Sequence, residues 1–147
     1  MFSIVPMQAR HVEEVARLEQ ICFSTPWSAD SLQRELDTPG AAFFVAENEA
    51  GVPIGYVGTH IVLDEGYIAN LAVHPDYRRR GVAGALLRHL EALAARRELA
   101  FWSLEVRESN AAAIRLYTRH GYMVTGRRPG FYRAPAEDAL LMTRRFE

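Results

Sequence analysis

The sequence predicts a mixed α/β fold, one mostly antiparallel central sheet flanked by about four helices. Three observations point there. Strand-like apolar runs cluster mid-chain, at Ala41–Ala46, Ile54–Val62 and Tyr67–Val73, with only turn residues between them (Asn48–Pro53 and Asp64–Glu65–Gly66). A strongly helical stretch, Gly81–Arg96, follows, with Leu86, Leu87, Leu90 and Leu93 at helical spacing. A further strand, Ala100–Val106, is enclosed by that helix and a second one, Ala111–His120. A right-handed crossover then sets it parallel to the strand before it.

Local chemistry supplies the remaining elements. Phe2–Val5 reads as a first strand. Gln8–Phe23 reads as a helix, with Val12, Val15, Ala16, Leu18, Glu19 and Cys22 in a partial 3.6-residue period. Ser24-Thr25-Pro26-Trp27 breaks it. Ser28 is a good N-cap for a short helix continuing through Ser31–Leu36, which Asp37-Thr38-Pro39-Gly40 ends. Asn110 caps the last helix and Gly121 stops it. Tyr122–Gly126 and Ala139–Arg144 are the closing strands, joined by a loop, Arg127–Asp138, that contains Pro129, Gly130 and Pro135.

At 147 residues the chain suits a single domain, 1–147, burying roughly two thirds of its unfolded surface. A net charge of -1 gives no reason to expect nucleic-acid binding. No apolar run approaches the roughly 18 residues of a membrane span, and the start lacks the pattern of a secretory leader. One cysteine, Cys22, makes no internal disulfide, so a cytoplasmic protein is expected. Its apolar context suits a small buried side chain better than a nucleophile. The five histidines form no metal-ligand cluster, so no metal is expected. His74, before Pro75, suits turn shaping; His11, His60, His89 and His120 suit surface or packing roles.

The most informative segment is Arg78-Arg79-Arg80-Gly81-Val82-Ala83-Gly84, between an apolar strand and a helix start. Backbone N–H groups at a helix start lack intrahelical partners, and the helix dipole adds positive potential. Small residues at Gly81, Ala83 and Gly84 let a ligand approach the backbone. The pattern matches neither the dinucleotide fingerprint nor the nucleoside-triphosphate loop. It therefore suits a phosphorylated cofactor other than NAD or ATP; the alternative is a solvated charge run.

The element order with Arg78-x-x-Gly81-x-Ala83 resembles the GNAT superfamily of acetyl-coenzyme A-dependent N-acetyltransferases, across essentially the whole chain. Separated blocks resemble more closely the RimI branch, whose members acetylate the N-terminal alanine of small-subunit ribosomal protein eighteen. They are Cys22-Phe23-Ser24-Thr25-Pro26-Trp27-Ser28, Ile68-Ala69-Asn70-Leu71-Ala72-Val73, Leu104-Glu105-Val106-Arg107, Ser109 to Tyr117, and Gly121-Tyr122. The resemblance implies a GNAT fold with a splayed parallel strand pair. It implies acetyl-CoA as cosubstrate, its diphosphate on Arg78, Arg79, Arg80, Gly81, Val82, Ala83 and Gly84. Its pantetheine arm would run along Leu71, Ala72 and Val73, with Asn110 offering an amide if it is more than a helix cap. A backbone N–H near Val73 would meet the oxyanion. The implied acceptor is a protein N-terminus, with Trp27, Asn70, Glu105 and Tyr132 on its side; the alternative is a lysine side chain or a small-molecule amine. No direct nucleic-acid recognition, no membrane and a monomer or weak dimer are expected.

Acetyl transfer needs a neutral amine, a polarised carbonyl, a stabilised oxyanion and a proton or strong solvation for the leaving thiolate. Glu105 is the base candidate, because a carboxylate is unusual in the apolar strand Phe101–Val106. Burial would raise its pKa; the alternative is an outward Glu or one paired with Arg107. The demand on a base is mild for an α-amine, about 1 kcal/mol at pH 7 against about 4.6 kcal/mol for lysine. Tyr117, two turns beyond Asn110, is the acid candidate by resemblance, or else a core anchor. Trp27 walls the acceptor groove or packs in the core. Phe131 and Tyr132 form the opposite wall. Asp64, Glu65, Glu137 and Asp138 offer a negative rim, or are ordinary surface acids. A noncatalytic acyl-CoA sensor would keep the arginine turn but lack Glu105 and Tyr117.

Overall fold

The computed structural model describes residues 1–146; Glu147, the last residue of the expected 1–147 domain, lies outside them. Its strands are β1 (Phe2–Pro6), β2 (Ala41–Asn48), β3 (Pro53–Val62), β4 (Glu65–Val73), β5 (Phe101–Arg107), β6 (Met123–Arg133) and β7 (Ala136–Arg145). They form one seven-stranded sheet in the order β1-β2-β3-β4-β5-β7-β6. The helices are α1 (Val12–Cys22), α2 (Ala29–Glu35), α3 (Val82–Arg97) and α4 (Ala111–Arg119). Each pair of neighbouring strands is antiparallel except β4–β5, the parallel pair expected from the crossover through α3.

Two cores form because side chains alternate across each strand. On one face Leu86, Leu87 and Leu90 of α3 and Tyr117 of α4 pack with Val57, Ile68, Trp102, Leu104 and Val106. Burying each large apolar side chain there contributes roughly 1.5–3 kcal/mol. Trp102 donates its indole N–H to the Leu90 carbonyl at 2.9 Å, which ties β5 to α3. On the other face Val15 of α1 and Leu32 of α2 pack with Phe43, Val45, Tyr56 and Ala72.

The parallel pair is short. It holds only at Glu65–Phe101, Gly66–Trp102 and Tyr67–Ser103, after which β4 and β5 part. A register shift in the β3–β4 pairing, where Gly58 faces Asn70 and Thr59 faces Ile68, bulges β4 just past that fork. Gly66 at the fork has no room for a side chain, since an added Cβ would lie 2.4 Å from the Trp102 ring.

The structure corrects the sequence reading in three places. The first helix opens with a 3-10 turn, Ala9–His11, and becomes α-helical only at Val12. His11 there is fully buried, accepts from Gln8 N at 3.0 Å and bonds Glu47 at 2.8 Å, so it is a packing residue. Glu65 and Gly66 belong to β4 rather than to a turn. Most of the expected loop Arg127–Asp138 is strand, because the β6–β7 hairpin accommodates Pro129 and Gly130 in a bulge between Arg128 and Tyr132. Among the described residues no helix is long and apolar enough to cross a membrane, and no cluster of His, Cys, Asp and Glu is placed to hold a metal.

Candidate active site

The site is built around the fork. His74 N donates to the Ile54 carbonyl at 2.8 Å, so at the end of β4 the even-numbered residues face β3. By the alternation of an antiparallel ladder, the N–H and C=O of Leu71 and Val73 turn into the gap that β5 has vacated. Ala72 spends its backbone on β3 and its side chain on the α1–α2 core. Of the expected strand contacts, Leu71 therefore offers free main-chain groups and Val73 a free N–H, its carbonyl being held by Arg78 and Cys22, while Ala72 offers none.

The gap leads to the arginine turn. Arg79 (φ 63°) and Gly81 (φ 80°) are both left-handed, which folds the chain into a concave run before α3. The first helical bond of α3 runs from Ala85 N to Gly81 O at 3.0 Å. None of the N–H groups from Arg79 to Gly84 bonds another backbone carbonyl among the described residues. An added Cβ at Gly81 would meet nothing within 4 Å, so glycine is needed there for its backbone angle rather than for space. Arg78, Arg79 and Arg80 are exposed, and the Arg80 guanidinium lies 5.5 Å from the Tyr77 ring centroid. Unpaired N–H groups, positive side chains and a helix N-terminus together fit a diphosphate. Asn110 accepts from Ala113 N at 3.1 Å, so its oxygen is a cap and its amide N–H groups remain for a ligand.

Glu105 and Tyr117 lie on opposite faces of the sheet. Leu104 and Val106 belong to the α3–α4 core, so Glu105 between them projects to the other face. Its side chain is only 5% exposed. Tyr67 donates its hydroxyl to Oε1, and Arg128 Nε donates to Oε2 at 2.8 Å. The partner is thus Arg128 of β6 and not Arg107. Tyr117 lies in the α3–α4 core, its ring 5.6 Å from that of Tyr122. Burial, and secondarily Tyr132, push its phenol above the usual tyrosine value, so it stays protonated at neutral pH.

The face that carries Glu105 has two walls. Trp27 is half-buried, 5.9 Å from Phe43, and rests on the α1–α2 core while closing the loop between those helices. Asn70 donates to Glu19 Oε2 at 2.9 Å. Glu19 is a residue the sequence reading missed. It is fully buried, and it also receives Trp27 N at 2.9 Å and the Tyr56 hydroxyl. Burial raises its carboxyl above the usual value against three donors that lower it. One carboxylate thereby fixes the Trp27 loop, β3 and the bulged part of β4. Its presence among the apolar positions of α1 was the available signal.

Tyr132 forms the second wall, on β6 rather than in a loop. The Arg107 guanidinium lies 4.2 Å from its ring centroid, and Phe131 packs edge-on at 5.1 Å. Arg107 also donates to the carbonyls of Pro135 (2.9 Å) and Ala134 (3.2 Å), while Ser24 donates to the Ala134 carbonyl. The two walls therefore touch at one end. Half of the expected acidic rim is spent on structure. Glu137 bonds Ser109 N at 2.6 Å and Arg107 at 3.3 Å, and Asp138 bonds Gly130 N at 2.9 Å and Arg127 at 3.4 Å. Only Asp64 and Glu65 stay exposed. A depression of about 370 Å³ on this face is lined by Tyr67, Ser103, Glu105, Arg128 and Arg145, among others.

Comparison with known proteins identifies the family. Residues 12–122 match the model of the Acetyltransferase (GNAT) family. A Bacillus subtilis (strain 168) protein, assigned by inference as a ribosomal protein bS18-alanine N-acetyltransferase, is 36% identical over 137 residues, covering 92% of this chain and 90% of that one. The ribosomal protein bS18-alanine N-acetyltransferase of Escherichia coli (strain K12) is 34% identical over 144 residues, covering 97% and 96%. The crystal structure of the ribosomal-protein-S18-alanine N-acetyltransferase from Escherichia coli superimposes with a TM-score of 0.90 at 32% identity, covering 99% and 94% of the two chains. The chain belongs to the Acetyltransferase (GNAT) family, enzymes that draw their acetyl group from acetyl-coenzyme A.

Proposed function

We propose that this chain transfers the acetyl group of acetyl-CoA to the N-terminal α-amine of a protein, the alanine of ribosomal protein bS18, by direct attack in a ternary complex. The observation that carries the reading is the fork. β4 and β5 part after Tyr67–Ser103, with Glu105 beside that opening on one face and Tyr117 in the core of the other. The N–H run Arg79–Gly84 and the arginines beside it would hold the diphosphate, and the Leu71 and Val73 amides the pantetheine arm. The Val73 N–H suits the oxyanion. Acetyl-CoA supplies an activated acyl carbon. Glu105 takes the amine proton, and Tyr117, protonated and buried, donates to the departing sulfur.

Two observations favour an N-terminus over a lysine. An α-amine loses its proton at pH 7 for about 1 kcal/mol, within reach of a carboxylate already held by two donors. The walls meet where Ser24 bonds the Ala134 carbonyl, so the groove is closed at one end and suits a chain terminus. The chain is assigned to act as one domain in the cytoplasm.

The test supplies acetyl-CoA with peptides beginning Ala, Ser, Met or Gly, and with one whose α-amine is blocked but which carries lysine. Acetylation only of free α-amines, with alanine preferred, is the expected result. Equal turnover of the blocked lysine peptide rejects N-terminal specificity.

A further inference from the structure

We propose that Tyr67 relays the proton from the acceptor amine to Glu105, so that the phenol meets the amine and the carboxylate stores its proton. The inference rests on reading Glu105 as the base. Access is the reason for it. The Glu105 side chain is 5% exposed and each of its oxygens is already held, Oε1 by Tyr67 and Oε2 by Arg128. A carboxylate so enclosed receives a proton most directly through a group it already touches. The Arg128 guanidinium has only donors and no lone pair with which to take a proton. The Tyr67 oxygen has lone pairs, and its hydrogen already points at Glu105 Oε1.

Its position fits the task. Tyr67 is the last β4 residue paired with β5, opposite Ser103, so it stands at the apex of the fork and lines the acceptor-side depression with Glu105. The other charged and titratable groups around it are Arg128 and Tyr132 on β6, Arg145 on β7 and His60 on β3. His60, directly across the ladder, is engaged with Glu35 at 2.8 Å and is not free to serve. In the step, the ammonium N–H bond breaks and leaves its electron pair on nitrogen. That proton bonds to the Tyr67 oxygen as the phenol O–H bond breaks toward Glu105 Oε1. The phenol emerges unchanged, and one proton has moved from amine to carboxylate.

The experiment compares wild type, Tyr67→Phe and Glu105→Gln with acetyl-CoA and an alanine-starting peptide, from pH 6.5 to 9. Phenylalanine keeps the ring and therefore the packing at the fork. Tyr67→Phe is expected to lose at least about tenfold in kcat at pH 7, with KM for acetyl-CoA within about twofold. The deficit shrinks toward pH 9, where the α-amine is already neutral. A smaller loss at pH 7, or a deficit of equal size at every pH, overturns the relay. Full turnover by Glu105→Gln, or a wild type inactive on every peptide, overturns the underlying reading instead, whatever Tyr67→Phe does.

Discussion

Replacing Glu19 by alanine is expected to destabilise the protein by about 3–5 kcal/mol. The substitution strands three donors at once: Trp27 N, the Tyr56 hydroxyl and the Asn70 amide. A buried donor left unpaired costs about 1–3 kcal/mol. Tyr56 is fully buried and takes the upper part of that range, while Trp27 and Asn70 are half-buried and take the lower. The sign of the pH dependence follows from the raised carboxyl. Its folded value lies above the ordinary carboxylate value, so the neutral form is favoured in the fold. That share of stability is fully present below about pH 4.5 and is lost as pH rises through the folded value. The gap between wild type and variant should thus be wider at pH 5 than at pH 8. Urea unfolding at both pH values measures it, because taking the difference cancels the other titrating groups. The Trp27 loop loses its anchor as well, so KM for the peptide should rise while KM for acetyl-CoA holds. A loss under about 1 kcal/mol at both pH values, or a gap that widens with pH, refutes the reasoning.

Three further outcomes are expected. Glu105→Gln should lower turnover about a hundredfold or more, most at low pH, while acetyl-CoA binding measured by calorimetry is retained; unchanged turnover across the pH range would remove Glu105 from the base role. Gly66→Ala places a methyl 2.4 Å from the Trp102 ring and should cost about 1–3 kcal/mol, read as a lower thermal midpoint; a neutral effect would mean the fork yields easily. Arg79→Ala with Arg80→Ala should weaken CoA binding and flatten its salt dependence with no change in thermal midpoint, since both side chains are exposed; an unaltered Kd would place the phosphates elsewhere.

Much of the fold was readable because its signals are local. Ser28 and Asn110 cap where expected, each accepting from the N–H three residues on. The leucine period of α3 and the crossover to β5 follow from spacing alone. The β6–β7 hairpin was not readable, because Pro129 and Gly130 signal a loop and only the tertiary pairing of Arg128 with Ala139 and Tyr132 with Glu137 makes a bulge of them. The site divides the same way. Its apolar strand marked Glu105, resemblance marked Tyr117, and the arginine turn announced itself by composition. The partners that hold the site were hidden by sequence distance: Glu19 meets Tyr56 and Asn70, 37 and 51 positions away, and Arg128 meets Glu105 across 23. The acidic rim failed for a related reason, since Glu137 and Asp138 found donors that only the hairpin brings near.

The Val73 carbonyl joins the arginine turn to the end of α1. It accepts from Arg78 Nε at 3.3 Å and from the Cys22 thiol at 3.5 Å, and Arg78 itself lies 3.8 Å from that sulfur. An anion that draws the Arg78 side chain toward itself takes one donor away from this carbonyl and leaves it to the Cys22 thiol. A ligand bound at the arginine turn is therefore expected to be felt at the end of α1, where the segment carrying Trp27 begins.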